Sequence, residues 1–411
     1  MDFDVMVLGA GPGGSAAAAW LAQQGLSVCL VEELEFPRFK IGESLLPKTN
    51  HYFQKIGVWD KIESAGFVRK SGAEFTTSDR SKTVHNVFNE ALIPGFPYTY
   101  QVRRDRFDQL LLEHAVSCGA MVFQPARIAH AVRKGNSWTL RLRAGDDERT
   151  IKAKWIIDGG GSRALMPKVL GIEKRPLFAQ KRVAIYNHFC GAQDKTLEKG
   201  NIIITRIRAG WFWIIPLSDE LTSVGVVLPV QSNGVLPEER FAAAVEGSEL
   251  MREVLQSAEP VGDFQVTSDY SYMCDGFSKD GVFLVGDAAG FIDPIFSSGV
   301  GLAVESGVLA AEAIVQAKKA GQSWSKRLGT RYTRRIRKRM HTVQRLVEVF
   351  YDDAGFSVFM HPSNRLQLFR AVNAVVSGHT SLPLRVKWRY YLFLWICRMN
   401  KNRNLVPAVK I

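Results

Sequence analysis

Three short stretches of the chain carry residues whose types and order could do chemistry. Gly9, Gly11 and Gly14 form GxGxxG, directly after the apolar run FDVMVL and directly before an alanine-rich segment. Between a strand and a helix, the first glycine permits a tight turn, the second lets a pyrophosphate reach the backbone, and the third lets helix and strand touch. Unpaired amides and the positive end of the helix dipole then face the anion. Glu32 closes the next apolar run, SVCLVEE, where a carboxylate can accept hydrogen bonds from a ribose; Glu33 beside it is a rival. The second stretch, GWFWIIPL, places Trp211, Trp213 and Ile215 at alternate positions before Pro216. On a strand these share one face and make a wall of indoles, which read locally is ordinary core packing. The third stretch, FIDPIFSSGVGLAVESG at 291–307, follows GDAAG. It sets Phe291, Pro294, Phe296, Ser297, Ser298 and Gly299 around a helix mouth, unusual apolar bulk beside a turn suited to a charged ligand.

The elements that must hold these residues are legible in outline. A strand, an Ala-rich helix at 15–24 and a second strand make a βαβ unit of roughly 30 residues. Arg104, in RRDRFDQLL, opens an amphipathic helix reaching Ser117, at the distance expected of a clamp on an anionic ligand. Short alternating runs over 121–159 suggest a meander returning to the first sheet, and strand-like runs over 183–230 a second, antiparallel sheet. Residues 237–256 read as helical, and GVFLVGDAAG as a buried strand that delivers Asp287 to a helix mouth. The remainder is mostly helical, ending in segments 363–377 and 384–398. The expected fold class is α/β: a Rossmann-like dinucleotide-binding domain (1–180 and 260–325), an antiparallel substrate sheet (70–100 and 181–259) and a helical C-terminal region (326–411).

Composition narrows the function classes. The 411 residues are 46% hydrophobic and 23% charged, as in a folded globular protein. Net charge is +13, much of it in the run from Arg327 to Arg345, which favours an anionic partner. No zinc finger, RNA-recognition aromatic pattern or helix-turn-helix accompanies that charge, so nucleic acid is not expected. Five dispersed cysteines without a CxxC pair argue against a zinc site and a disulfide framework. The acidic start MDFDVMVLGAG is no signal peptide, and the apolar run from Tyr390 to Cys397 is too short to span a bilayer. These features suggest a cytoplasmic protein.

Taken together, the glycine loop, IIDGGGS with Asp158, LVGDAAG with Asp287, and Arg104 resemble the FAD monooxygenase superfamily of the para-hydroxybenzoate hydroxylase type, over roughly the first three quarters of the chain. That resemblance implies FAD, with Asp287 on the ribityl chain. WxWxIP at 211–216 and FxxPxxSxG at 291–299 together resemble the flavin-dependent halogenases of phenol and pyrrole type, enzymes of secondary metabolism. In that family the tryptophan motif obstructs the approach that hydroxylases use, and the second motif holds chloride or bromide on backbone amides, which implies Ser298 and Gly299. An amide nest at a helix start suits that task. The resemblance further implies that FAD reduced by a separate flavin reductase would give a flavin hydroperoxide and hypohalous acid, which in that family travels to a lysine. Lys70, in FVRKSGAEF, matches that lysine; Lys40 matches it less well, and Glu43 and Ser44 of FKIGESLLP would line the site. Where tryptophan-specific members carry glutamate this chain has Phe296, which implies a phenol or pyrrole acceptor, often tethered to an acyl carrier protein. Carrier proteins are acidic, so the Arg327–Arg345 face offers a docking rationale. The last helices either cap the substrate pocket or, the lesser expectation, touch a membrane surface through Trp388, Tyr390 and Trp395. The main alternative is an aromatic hydroxylase using NAD(P)H, oxygen and no halide, because Asp158-Gly159 is closer to the hydroxylase version of that motif; a prenyl reductase of the same fold is a third reading.

Overall fold

In the computed structural model, which describes every residue except 194, 196, 197, 232, 233, 269 and 270, the strand Asp2–Leu8 is central. It pairs in parallel with Val28–Val31 on one side and Asp147–Asp158 on the other, so Leu8, Val31 and Asp158 end level. The sheet continues to Met121–Phe123 at one edge and to Val282–Leu284 and Ser278–Lys279 at the other. Its middle strands are apolar on both faces and buried on both, as a parallel sheet covered by helices requires. The meander expected over 121–159 is present: Arg127–Lys134, Ser137–Ala144 and Asp147–Asp158 run antiparallel in turn. The level strand ends set the glycine loop, Glu32 and the 158–161 turn side by side.

The first helix, Pro12–Gln23, crosses the long helix Gly299–Lys319 with backbones touching. A Cβ on Gly307 would sit 2.2 Å from the Gly13 carbonyl oxygen, and one on Gly13 would sit 2.8 Å from that of Ala303. Within the loop itself, Gly9 has φ +86° and a Cβ on Gly14 would meet the Gly9 carbonyl oxygen at 1.9 Å. Gly299–Lys319 is long and apolar enough to cross a membrane by length and composition, but it lies mostly buried against the first helix.

The second sheet has seven strands, in the order Glu259–Thr267, Arg182–Cys190, Leu221–Pro229, Gly210–Pro216, Ile202–Ile207, Gly72–Thr77, Thr83–Val87. All its pairs are antiparallel except Ile202–Ile207 with Gly72–Thr77. Ile203, Phe212 and Val224 on one face pack under the helices Pro237–Glu246 and Glu249–Leu255, two helices where one segment was expected. Phe75, Ile204, Trp211 and Trp213 on the other face join the main core. The edge strand Glu259–Thr267 lies in the segment assigned above to the FAD domain. Its side chains are mostly exposed, so it carries no apolar pattern to betray it. Beyond residue 325 come Lys326–Tyr351, Asp353–Phe359, Leu368–Val376 and Leu384–Arg403; the last two start later or end later than expected. Ser325 and Asp352 cap the first two, each side chain accepting from a first-turn amide.

The helix crossing leaves no room for a methyl group. Overpacking of this kind costs typically about 1–3 kcal/mol, so Gly307→Ala is expected to lower the urea midpoint of unfolding. An unchanged midpoint would show that the two helices separate freely.

Candidate active site

The glycine loop enters the first helix at Gly11, which has no side-chain cap, so the first-turn amides are left for a ligand. Glu32 rather than Glu33 faces this loop. Its Oε2 accepts from the Ala10 amide at 2.7 Å and its Oε1 from the Leu34 amide at 3.0 Å, while Glu33 is exposed. Asp158 is committed to its own turn, accepting from the amides of Gly160 and Met166 at 2.9 and 2.8 Å. Asp287 lies partly accessible in the Gly286–Ala288 turn. Burial pushes its carboxyl up, against the pull of the Lys40 and Arg104 charges. A carboxylate only accepts hydrogen bonds, so Glu32 and Asp287 both suit hydroxyl groups. An uncapped helix start flanked by two such acids fits the pyrophosphate, ribose and polyol chain of FAD.

Arg104 departs from the expected clamp. Its Nε and Nη2 make a bidentate pair with Asp108, both at 2.8 Å, and its Nη1 donates to the carbonyls of Ile41 and Gly42 at 2.9 and 3.3 Å. Arg38 reaches the same Asp108 at 3.2 Å. The guanidinium therefore holds the loop over the crevice, and only its field reaches Asp287. On that loop Glu43 is buried and meets His188 Nε2 at 2.6 Å, tying the loop to the strand Arg182–Cys190.

Lys70 ends the short strand Val68–Lys70 and is 0% exposed. Its Nζ donates to Ser44 Oγ at 2.8 Å and to the Leu45 carbonyl at 2.9 Å, and lies 5.3 Å from the centroid of the Phe88 ring. No carboxylate pairs with it among the described residues. Burial lowers its pKa from 10.5 to about 7. Lys40, by contrast, is exposed on the loop beside Asp287.

The FxxPxxSxG stretch folds as a 3₁₀ turn, Pro294–Phe296, followed by Ser297 at φ +53° and Ser298 at φ −82°. A left-handed residue next to a right-handed one turns consecutive amides to one side, the geometry of an anion nest. A Cβ on Gly299 would meet nothing within 4 Å, so this helix start borders open space. Ser298 Oγ is buried without a partner among the described residues. Phe296 lies in a ring cluster with Phe75, Phe350 and Phe359 at centroid distances of 5.4, 6.1 and 6.1 Å. Beside it, Leu46, Lys48, Ser298, Gly301 and Val343 line a narrow cavity of about 20 Å³, room for one water-sized body.

Trp211 and Trp213 do share a face, their rings 5.8 Å apart, with Pro216 at the end of their strand. Trp213 Nε1 donates to Ser223 Oγ at 3.2 Å, and its ring lies where a Cβ on Gly225 would be, 2.3 Å away. Trp211 Nε1 donates to Tyr351 Oη at 2.9 Å, and Tyr351 Oη donates to Asp293 Oδ2 at 2.7 Å. Asp293 sits inside the FxxPxxSxG stretch, so this relay joins the two motifs. Burial raises its carboxyl to about 6, although the Tyr351 hydrogen bond and the Arg182 charge oppose the shift. Sequence reasoning missed Tyr351, Asp293 and His188. Only Asp293, by its place in the quoted stretch, left a signal.

Comparison with known proteins identifies the family. The model of an FAD binding domain covers residues 2–346. A 1H-pyrrole-2-carbonyl-[peptidyl-carrier protein] chlorinase of Pseudomonas fluorescens is 34% identical, over 94% of this chain and 92% of its own. The chain belongs to the flavin-dependent halogenases. The halogenase superposes on the flavin-dependent brominase Bmp2 with a TM-score of 0.83 at 27% identity, over 96% and 99% of the two chains. It also matches a flavoprotein/dehydrogenase of Cytophaga hutchinsonii with a TM-score of 0.87 at 27% identity, over 98% and 100%. It is an FAD-dependent oxidoreductase that uses halide, and the hydroxylase alternative is not favoured.

Lys70 makes the halogenase's stability depend on pH. Between about pH 7 and 10 the unfolded chain binds a proton at Lys70 that the folded chain refuses, so stability rises with pH, by about 1.4 kcal/mol per unit from this group. Below pH 7 both states are protonated and the burial penalty is fully present. Lys70→Met is expected to flatten that rise when urea midpoints are followed from pH 7 to 10; an unchanged slope would mean that the buried amine is not the source.

Proposed function

We propose that the halogenase places chlorine or bromine on an electron-rich ring, a pyrrole or a phenol, presented by an acyl carrier protein, and that Lys70 delivers the halogen. The observation that carries this reading is an ammonium buried without a carboxylate partner among the described residues, fixed by two hydrogen bonds and with a third N–H to spare. Gly9, Gly11, Gly14, Glu32 and Asp287 would hold FAD, with Arg104 supporting the loop above it. Reduced FAD and oxygen supply the oxidising equivalent that turns halide into hypohalous acid.

This chain's residues do the rest. Amides of Ser298 and Gly299 hold the halide, while Phe291, Pro294 and Ser297 shape that turn. Trp211 and Trp213 keep the organic acceptor from the flavin edge. Near neutrality Lys70 is divided between ammonium and amine, so one form donates a hydrogen bond to the hypohalous oxygen and the other can take up halogen. At the acceptor a C–X bond forms and a C–H bond breaks, and the released proton leaves with the hydroxide as water. Phe296 offers no carboxylate to a free amino acid, which agrees with the carrier-bound pyrrole named for the Pseudomonas relative. A separate flavin reductase would be the source of reduced cofactor.

Carrier docking falls on part of the helix Lys326–Tyr351. Arg327, Arg331, Arg334, Arg335 and Lys338 are exposed, whereas Arg339 is buried on Glu305 at 2.6 Å. Lys70→Ala is expected to cut halogenated product at least ~100-fold while flavin reoxidation continues, read by mass spectrometry and flavin absorbance. Halogenation at the wild-type rate would remove Lys70 from the mechanism, and product gaining one oxygen regardless of halide would restore the hydroxylase. Arg334→Glu with Lys338→Glu is expected to raise KM for the carrier-bound acceptor about tenfold and to leave the free ring unaffected; an equal effect on both acceptors would refute docking there.

A further inference from the structure

The helix Leu384–Arg403 leaves a row of large apolar side chains in water. Leu384 is 79% exposed, Trp388 42%, Tyr391 43% and Trp395 55%. Their spacings of four, three and four place them on one face. The row is no product of fraying, because the opposite face is anchored. Val386, Tyr390, Phe393, Leu394 and Cys397 are buried, and Tyr390 Oη donates to the Thr342 carbonyl at 2.8 Å. Tyr391 therefore takes the place on the outer face that Tyr390 was expected to fill. Leu366, also exposed, lies close by, since Arg389 Nε donates to its carbonyl at 2.8 Å.

Charge on this helix has one sign. Arg385, Lys387, Arg389, Arg398, Lys401 and Arg403 lie along it, with no Asp or Glu. Arg389 sits 4.2 Å from the Trp388 ring centroid, and Lys387 and Arg345 lie 5.8 and 5.0 Å from that of Tyr391. Cations thus border the indole and phenol rings.

We propose that this face rests on an anionic lipid surface, with Leu384, Trp388, Tyr391 and Trp395 at headgroup depth and the Lys and Arg heads among the phosphates. Three considerations select a membrane. The row runs about 16 Å at 1.5 Å per residue and is one side chain wide, far short of the roughly 800 Å² per partner of a stable protein interface. A second copy meeting it face to face would oppose like charges with like. An acidic carrier protein would be held by charge without two exposed tryptophans. Trp and Tyr rings flanked by snorkelling Lys and Arg are what the interfacial zone accommodates, and the chain's net charge of +13 acts in the same direction. The inference is independent of the acceptor's identity.

The experiment uses the full-length, FAD-loaded halogenase in co-sedimentation with vesicles of phosphatidylcholine alone and of phosphatidylcholine with phosphatidylglycerol. Binding to the anionic vesicles is expected to exceed binding to the neutral ones at least about tenfold, with a blue shift of tryptophan emission. Trp388→Ser with Trp395→Ser is expected to lose that binding about tenfold while keeping the thermal midpoint and turnover of a soluble acceptor. Leu384→Asp, at the exposed first turn, tests the same face should the double variant fail to fold. Absent binding to anionic vesicles, or binding retained in these variants, would overturn the proposal. So would a dimer in light scattering, or capture of an acidic carrier protein, that the same variants abolish while vesicle binding persists.

Discussion

Everything in the site depends on how closely one helix can approach three turns. Gly299–Lys319 begins at the proposed halide nest, and its Ala303 and Gly307 lie against the backbone of Gly13 in the nucleotide loop. On the same helix Ser306 Oγ accepts from the Gly286 amide at 2.9 Å, and a Cβ on Gly286 would stand 2.9 Å from that of Ala303. The glycine loop, the Asp287 turn and the Ser298 turn are therefore fastened to a single rod. Backbone-to-backbone packing transmits displacement because interiors are dense and little compressible. The two helix starts proposed to face anions keep a fixed separation, set by glycines rather than by ligand-contacting side chains.

A second tie runs through polar groups. The relay from Trp211 to Tyr351 to Asp293 fixes the indole wall to the turn that precedes the nest. Burial makes the carboxylate at its end costly to charge, and that expense is characteristic of a site arranged for geometry rather than for stability. Lys70 shows the same trade. A methionine would fit its surroundings with less strain on electrostatics, yet the chain keeps an amine there with hydroxyl and carbonyl partners and no counter-ion among the described residues.

Much of this was legible in the sequence, for reasons that differ by element. The GxGxxG turn, its strand and its helix are local structures whose residues admit few other conformations. Alternation placed Trp211 and Trp213 on one face correctly, because strand geometry fixes it. The edge strand Glu259–Thr267 was assigned to the other domain because an exposed strand has no apolar period to read. Arg104 was expected on a ligand, although Asp108 stands one helical turn later, a spacing at which ion pairs form, and takes its fork. Tyr351 lies far along the chain from both motifs it joins, and long-range hydrogen bonds leave no periodic trace. On the last helix a shift of a single residue, a turn of about 100°, exchanged the buried Tyr390 for the exposed Tyr391.

The glycine under the second indole has a consequence for how such a wall can change. Any side chain at 225 would displace Trp213, whereas shrinking Trp213 alone leaves a void over bare backbone. Neither residue can be replaced first without harm. The proposed barrier between flavin and acceptor is thus guarded by a pair of positions, 213 and 225, that must change together to keep the wall closed.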